Sequence, residues 1–287
     1  MSVGPAAGVS VPSSDRSKTV VTFWNIDSQS SVVSLLPSLL RETGCDILVT
    51  AETGTLANAV SDALHLDVGT HVRHLTPAGR DVHVWSLLGK TKIRAVRSEQ
   101  RFEAFRVKTS AQSPTLMVFA HLRSKAKRAA ADEALDTAEF IATLNQMERK
   151  RWVAGRTVVA GDLNLHPYDE SMKLPRLFNA SASGATVAQK SAFRRRGHVH
   201  NRFYNPSWNL LGDANGPPGT FYWDADGLGG NWYCLDQVLL RPQLIPTFLL
   251  SSLRVITSIG GQALITLDGR PTSGGSDHMP VTFAVET

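Results

Sequence analysis

The sequence holds only two cysteines in 287 residues, Cys45 and Cys234, each among apolar neighbours. Two such thiols make neither a disulfide framework nor a cysteine metal cluster, and they read as buried core residues in a reducing compartment. Long hydrophobic runs are also missing, since no stretch approaches the roughly 20 apolar residues that span a bilayer. The first eighteen residues are rich in Ser, Pro, Ala and Gly and lack the basic start and apolar run of a secretory signal. The expectation is a cytoplasmic protein without a membrane partner, with a disordered leader over residues 1–18 and one folded domain over 19–287. Charge is sparse, at 19% against 42% hydrophobic residues, which excludes a disordered chain. A Gly-x-x-x-x-Gly-Lys loop and a Gly-x-Ser-x-Gly elbow are absent, so triphosphate-loop chemistry and a serine nucleophile are disfavoured. Internal repeats and heptads are absent as well.

The charge that is present leans one way. Thirty Lys and Arg against twenty-five Asp and Glu give a net charge of +5 and a pI near 9.4. That balance favours acidic partners such as nucleic acid.

β-rich runs bounded by turn residues are expected over 19–26, 46–50, 71–75, 82–87, 102–108 and 115–121. They recur over 157–160, 219–223, 237–240, 252–257 and 281–285. Residues 31–43 carry apolar residues at helical spacing and stop before Gly44, while the Ala-rich stretch from about 125 to 151 suits a surface helix. Strands mixed with helices and no central linker predict an α/β domain whose core lies between two sheets covered by helices. Residues 166–218, crowded with Asn, Ser, Gly and Pro, are expected to form a long loop-rich insertion.

The chemistry-bearing residues sit where strand-like runs end. Asn25 and Asp27 close the first run, Glu52 follows Asp-Ile-Leu-Val-Thr-Ala, and His121 follows Leu-Met-Val-Phe-Ala. Asp162 and Asn164 follow Thr-Val-Val-Ala-Gly, Asp236 precedes Gln-Val-Leu-Leu, and Asp277 and His278 precede Met-Pro-Val-Thr-Phe. A single Asp or His at a strand end is ordinarily a cap or a satisfied core group. Six coincidences point instead to a site, because open α/β folds build sites at strand ends. Carboxylates and amide oxygens without a Cys cluster are hard ligands suited to Mg²⁺ or Mn²⁺. A histidine beside aspartates adds a group that handles protons or stabilises an anion.

These motifs, taken in order, resemble the endonuclease/exonuclease/phosphatase superfamily: Phe-Trp-Asn25-Ile-Asp27, Ala-Glu52, Ala-His121-Leu, Gly-Asp162-Leu-Asn164, Leu-Asp236-Gln and Ser-Asp277-His278. The match runs from Val20 to Val285. The resemblance implies a four-layer α/β/β/α sandwich, two packed mixed β-sheets flanked by helices. It implies a Mg²⁺- or Mn²⁺-dependent hydrolase of phosphate esters, with Glu52 as the main metal ligand supported by Asn25 and Asp277, and with Asp27 a further metal or phosphate contact. Asp162 would orient and deprotonate the attacking water, and Asn164 would hold a phosphoryl oxygen or that water. His278, oriented by Asp236, would stabilise transition-state charge, and His121 would be a second donor to the phosphate. The histidine at 121, where abasic-site endonucleases of the superfamily tend to carry tyrosine, weakens a dedicated abasic-repair reading.

Three features lean toward nucleic acid, with DNA expected. The chain is basic; Arg194, Arg195, Arg196 and Lys125 are candidate phosphate contacts; and Trp223, with Phe193, Phe203, Tyr204, Trp208, Tyr222, Trp232 and Tyr233, could stack on bases. The leading expectation is a DNA endonuclease with little sequence preference, since backbone contacts carry no base information. A phosphatase or phospholipase using the same residues is the alternative enzyme, and a silent nucleic-acid-binding protein the alternative from another class. His198 and His200 read as exposed loop residues, and His65, His71, His74 and His83 as ordinary surface or strand histidines. Oligomeric state has no signature in the sequence.

Overall fold

The computed structural model describes residues 18–108, 113–124, 130–224 and 231–286. Residues 1–17 of the expected leader, and Lys125, lie outside them.

The strands are, in chain order, β1 (Lys18–Asn25), β2 (Ile47–Ala51), β3 (Arg73–His74), β4 (Val82–Ser86), β5 (Ile93–Glu99), β6 (Phe102–Val107), β7 (Thr115–His121) and β8 (Thr157–Asp162). They continue with β9 (Ala180–Ser181), β10 (Ala192–Arg195), β11 (His198–Asn201), β12 (Phe203–Tyr204), β13 (Phe221–Trp223), β14 (Asn231–Tyr233) and β15 (Asp236–Leu240). The last are β16 (Arg254–Val255), a short hairpin of β17 (Ser258–Ile259) and β18 (Gln262–Ala263), and β19 (Val281–Glu286). The α-helices are α1 (Ser30–Val33), α2 (Leu36–Thr43), α3 (Ala57–Asp67), α4 (Ala130–Glu148), α5 (Glu170–Lys173) and α6 (Gly184–Gln189).

Two mixed sheets carry the fold. One has the order β16-β19-β1-β2-β4-β3 and the other β5-β6-β7-β8-β15-β12-β9. β1 runs parallel to β2 and β7 parallel to β8, while β19, β4, β6 and β15 pair antiparallel on their flanks. The central strands read as continuous apolar runs because both of their faces are covered. Val21, Phe23, Val49 and Val84 from the first sheet meet Phe105, Met117, Phe119, Val158 and Val238 from the second in the core between the sheets. The opposite face of the second sheet packs Val118, Val159 and Leu239 against Phe140, Ile141 and Leu144 of α4. The opposite face of the first packs Trp24, Leu48 and Trp85 against Val32, Leu36, Leu39, Val60 and Leu64 of α1 to α3. The result is the expected α/β/β/α sandwich.

Local chemistry sets several boundaries. The helix expected over 31–43 breaks in two, because Pro37 suits the first turn of a new helix and lacks the N–H a continuous helix needs. Gly44 ends it in the left-handed conformation, φ 63°. Acidic Asp132 and Glu133 lie in the first turn of α4, where they face the positive end of the helix dipole. Residues 166–218 hold regular structure after all: α5, β9, α6, β10, β11 and β12, each of two to six residues. Such short elements leave too little periodicity to read. Both cysteines are buried and free, and burial pushes both thiols up, away from the reactive thiolate. No helix among the described residues is long and apolar enough to cross a membrane.

Candidate active site

Strand register brings the expected residues together. β1 ends with Asn25 opposite Ala51, so Glu52, the next residue, emerges beside it. In the second sheet His121 is the register partner of Asp162, and Asp162 is in turn the partner of Asp236. The two sheets thus present their site-bearing ends on the same edge of the sandwich.

Asn25, fully buried, is the link between sheets. Its Nδ2 donates to Glu52 Oε1 at 2.9 Å and to Asp162 Oδ2 at 3.1 Å, and its Oδ1 accepts the Asp27 N–H at 3.1 Å. One lone pair of Oδ1 remains for another ligand. His121 Nε2 stands 3.4 Å from Glu52 Oε1 and 3.8 Å from Asp162 Oδ2, while its buried Nδ1 has no partner among the described residues. Asp162 is 1% exposed, and its Oδ1 accepts the backbone N–H of Asn164 at 2.9 Å. Asn164 adopts φ +50° and turns its Nδ2 to Leu122 O at 2.9 Å, so the motif folds back over the end of β7.

Gly161 explains the first residue of Gly-Asp-Leu-Asn. Its φ is +138°, and a Cβ there would lie 2.0 Å from Ala120 O. Only glycine lets β7 and β8 approach this closely.

On the other side of Asp162, His278 Nδ1 donates to Asp236 Oδ2 at 2.8 Å, and His278 Nε2 lies 3.7 Å from Asp162 Oδ2. Burial alone would lower this imidazole, but the facing carboxylates of Asp236, Asp162 and Asp277 outweigh it and raise it to about 10. The ring is therefore an imidazolium at neutral pH. Burial pushes Asp236 up as well, against the pull of His278. Burial also lifts Asp277 to about 6; His278 opposes the rise, and the nearby charges of Asp27 and Glu52 add to it. The charges of Asp27 and Glu52 beside Asp277 form a place that favours a cation.

Glu52, His121 and Asp162 offer ligand atoms within 4.8 Å of one another, and so do Asp162, Asp236 and His278. The hard oxygen donors of Glu52, Asn25, Asp27 and Asp277 fit a divalent ion such as Mg²⁺ or Mn²⁺. His278 has its Nδ1 engaged by Asp236 and its Nε2 turned toward Asp162.

Residues given no role from sequence hold this arrangement. Ser276 Oγ donates to Asn25 O at 2.6 Å and accepts the His278 N–H at 3.0 Å, joining β1 to the Ser-Asp-His turn. Thr220 Oγ1 accepts the N–H groups of Leu235 and Asp236. Phe221 lies against His278, ring centroids 4.5 Å apart. The position of Ser276 inside Ser-Asp-His was a usable signal; Thr220 and Phe221 carried none, because their partners are distant in sequence. A separate cleft of about 290 Å³, lined by Arg97, Arg101, Leu122, Arg123 and Phe140 among others, shares none of the site's convergent side chains.

The expected nucleic-acid contacts are dispersed. Arg194 and Arg195 lie on β10, and Arg196 (φ 49°) with Gly197 (φ 81°) makes the tight turn into β11, so the arginine run is a hairpin and not an irregular loop. The chain leaves this hairpin through Arg202, whose carbonyl accepts from Arg241 Nη1 at 3.3 Å. Arg241 follows Leu240, at the end of β15 away from Asp236. His200, expected exposed, is 8% exposed and bonds Pro175 O at 2.8 Å, since the hairpin folds back on the loop after α5. Phe203 and Tyr204 are core, whereas Trp223 is 53% exposed.

Neither a family model nor a curated protein sequence matches the chain. Solved structures do. Truncated TDP2 from Caenorhabditis elegans superposes with a TM-score of 0.59 at 14% identity, over 94% of this chain and 98% of that one. An AP endonuclease from Archaeoglobus fulgidus gives 0.57 at 16% identity, over 94% and 100%. The 3′ phosphatase NExo from Neisseria, bound to a product DNA hairpin, gives 0.56 at 15%, over 94% and 100%. At such identities the likeness is one of architecture, and by that architecture the chain has the fold of the endonuclease/exonuclease/phosphatase superfamily.

Proposed function

We propose that this chain is a divalent-metal-dependent hydrolase of phosphodiester bonds in nucleic acid, with DNA as the expected substrate and little sequence preference. The observation that carries the reading is the sharing of Asp162 between two triangles, one with Glu52 and His121 and one with Asp236 and His278. The first includes Glu52, the principal donor of the cation site, and the second a buried imidazolium aimed at the same carboxylate.

In this reading Glu52, with Asn25, Asp277 and Asp27, holds Mg²⁺ or Mn²⁺, whose part is to neutralise phosphate charge and the charge on the leaving oxygen. Asp162, fixed by Asn25 and Asn164, orients the attacking water and takes its proton. His278 is kept cationic by Asp236, so it donates to the phosphoryl oxygen as negative charge builds there, without reorganising. His121 and Asn164 supply further donors to the phosphate. Proton handling of this kind is worth about 10² to 10⁴ in rate. Nucleic acid is favoured by the basic excess, by the exposed Trp223, and by the DNA product bound to one protein of the same fold. Arg194 to Arg196, on a hairpin rooted near the end of β15 away from Asp236, would contact backbone outside the reacting step.

The test is supercoiled plasmid with Mg²⁺, with and without chelator. Nicking that stops on chelation, returns with Mg²⁺ or Mn²⁺, and falls at least about 10²-fold in Asp162→Asn is expected. No nicking by the wild type, or equal nicking by the variant, refutes the reading. Phosphate release from small phosphomonoesters with DNA left intact would transfer the same site to a phosphatase.

A further inference from the structure

Aromatic rings lead away from the site in a connected series. Phe221 touches His278 at 4.5 Å, Tyr233 follows Phe221 at 6.2 Å, and His166 follows Tyr233 at 5.3 Å. Tyr168 then stacks on His166 at 4.4 Å and 16°, and Trp208 stands 6.4 Å beyond. Trp223 branches from Phe221, its ring nearly parallel at 6.2 Å. These residues come from three separate places in the chain: the turn after Asn164, the segment after β12, and the β13–β14 hairpin.

Such a series is not a core. Tyr168 and Trp223 are 51% and 53% exposed, Phe221, Tyr233 and Trp208 are half-buried, and only His166 is buried. A contiguous set of rings reaching the surface marks a candidate ligand-binding face. The ligand that continues from a scissile phosphate and prefers flat π-faces is a run of unpaired bases. Bases inside a duplex are already stacked on one another and offer no free face. Cations share the stretch of chain that carries Trp208: residues 171–212 hold seven Lys and Arg and no Asp or Glu, three of them, Arg194 to Arg196, on the hairpin rooted away from the site. Single-strand sites of general specificity combine these two elements, rings for the bases and cations for the backbone.

We propose that the ribbon Tyr233–His166–Tyr168–Trp208 is a stacking platform for unpaired bases, and that the substrate is therefore a single-stranded or frayed nucleic acid and not intact duplex. The proposal rests on the hydrolase reading for the position of the scissile phosphate. Phe221 lies against the catalytic imidazole and contacts the nucleotide at the cut; the ribbon holds those beyond it. Trp223, exposed and nearly parallel to Phe221, is a second ring beside the nucleotide at the cut.

The test is binding, measured apart from cleavage. Fluorescence anisotropy in chelator compares a short labelled single-stranded deoxyoligonucleotide with the duplex of the same sequence, for the wild type, Tyr168→Ala and Tyr168→Phe. The side chain of Tyr168 is exposed, so removing it leaves the core intact, and thermal melting checks this. Expected are tighter single-strand than duplex binding by the wild type, a loss of about 5- to 150-fold in Tyr168→Ala from one stacked base, and retention in Tyr168→Phe. Duplex binding equal to or tighter than single-strand binding, or unchanged affinity in Tyr168→Ala, overturns the proposal. Cleavage of DNA that depends on Asp162 while binding ignores Tyr168 would defeat the platform and leave the hydrolase standing. Platform binding without any metal-dependent cleavage would do the reverse.

Discussion

Gly161→Ala is expected to damage both the fold and the site. The Cβ of alanine at this position would stand 2.0 Å from Ala120 O and 3.0 Å from Ala120 N and C, where real Cβ atoms do not approach closer than about 3.0 Å. Since the obstructing atoms are backbone, β7 and β8 must part by about 1 Å or the chain must leave φ +138°. Strain at such a φ costs about 1–3 kcal/mol and overpacking about as much again, so a loss of roughly 2–6 kcal/mol follows. The parting falls one residue before the register pair His121 and Asp162. A displacement of about 1 Å at reacting groups can cost on the order of 10² in rate, beyond any loss of folded protein. The assay is a urea midpoint for stability, with phosphodiester hydrolysis measured at a temperature where the variant is folded. A variant with the wild-type midpoint and the wild-type rate would refute the claim that glycine is required here.

Other perturbations separate structure from chemistry. Arg241 makes a two-pronged pair with Glu148 at 2.8 and 2.9 Å, both side chains nearly buried, and its guanidinium lies 3.7 Å over the ring of Phe203. Glu148→Ala strands that cation between α4 and β15, and denaturant melts should show a loss of about 3–5 kcal/mol. Glu103 is 1% exposed; burial lifts its carboxyl to about 7, against the hydrogen bond from Ser98 and the charge of Arg80. A carboxyl raised in the folded state binds its proton more tightly there than when unfolded. Its contribution is therefore present near pH 4.5 and lost as pH rises through about 7. Glu103→Gln should melt higher than wild type at pH 8 and lose that advantage near pH 5; equal melting temperatures at pH 8 would refute it.

What the sequence by itself determined is the architecture and which polar residues stand at the ends of its strands. Strands such as Leu-Met-Val-Phe-Ala and Thr-Val-Val-Ala are unbroken apolar runs because they lie between two packed faces, and burial on both sides erases alternation in a way that can be read directly. The candidate site residues were legible because six such strand ends carry polar side chains in one order, where any one of them alone would read as a cap or a satisfied core group. β5 and α3 passed unread, the one polar along an edge strand, the other with only Val60 and Leu64 buried. The tertiary structure alone decided which of these residues touch. Asn25 bonding Glu52 and Asp162, Asp236 holding His278, and Ser276 tying both to β1 are contacts between residues 27 to 251 positions apart, set by sheet register and not by any local preference. It also decided the fate of the aromatics and arginines. Phe203 and Tyr204 went to the core, Arg194 to Arg196 to a hairpin rooted away from the site, and His166, Tyr168 and Phe221, unmarked in sequence, to a line of rings at His278. Burial and neighbourhood belong to the folded chain, and which rings stay exposed is therefore what one-dimensional pattern leaves open.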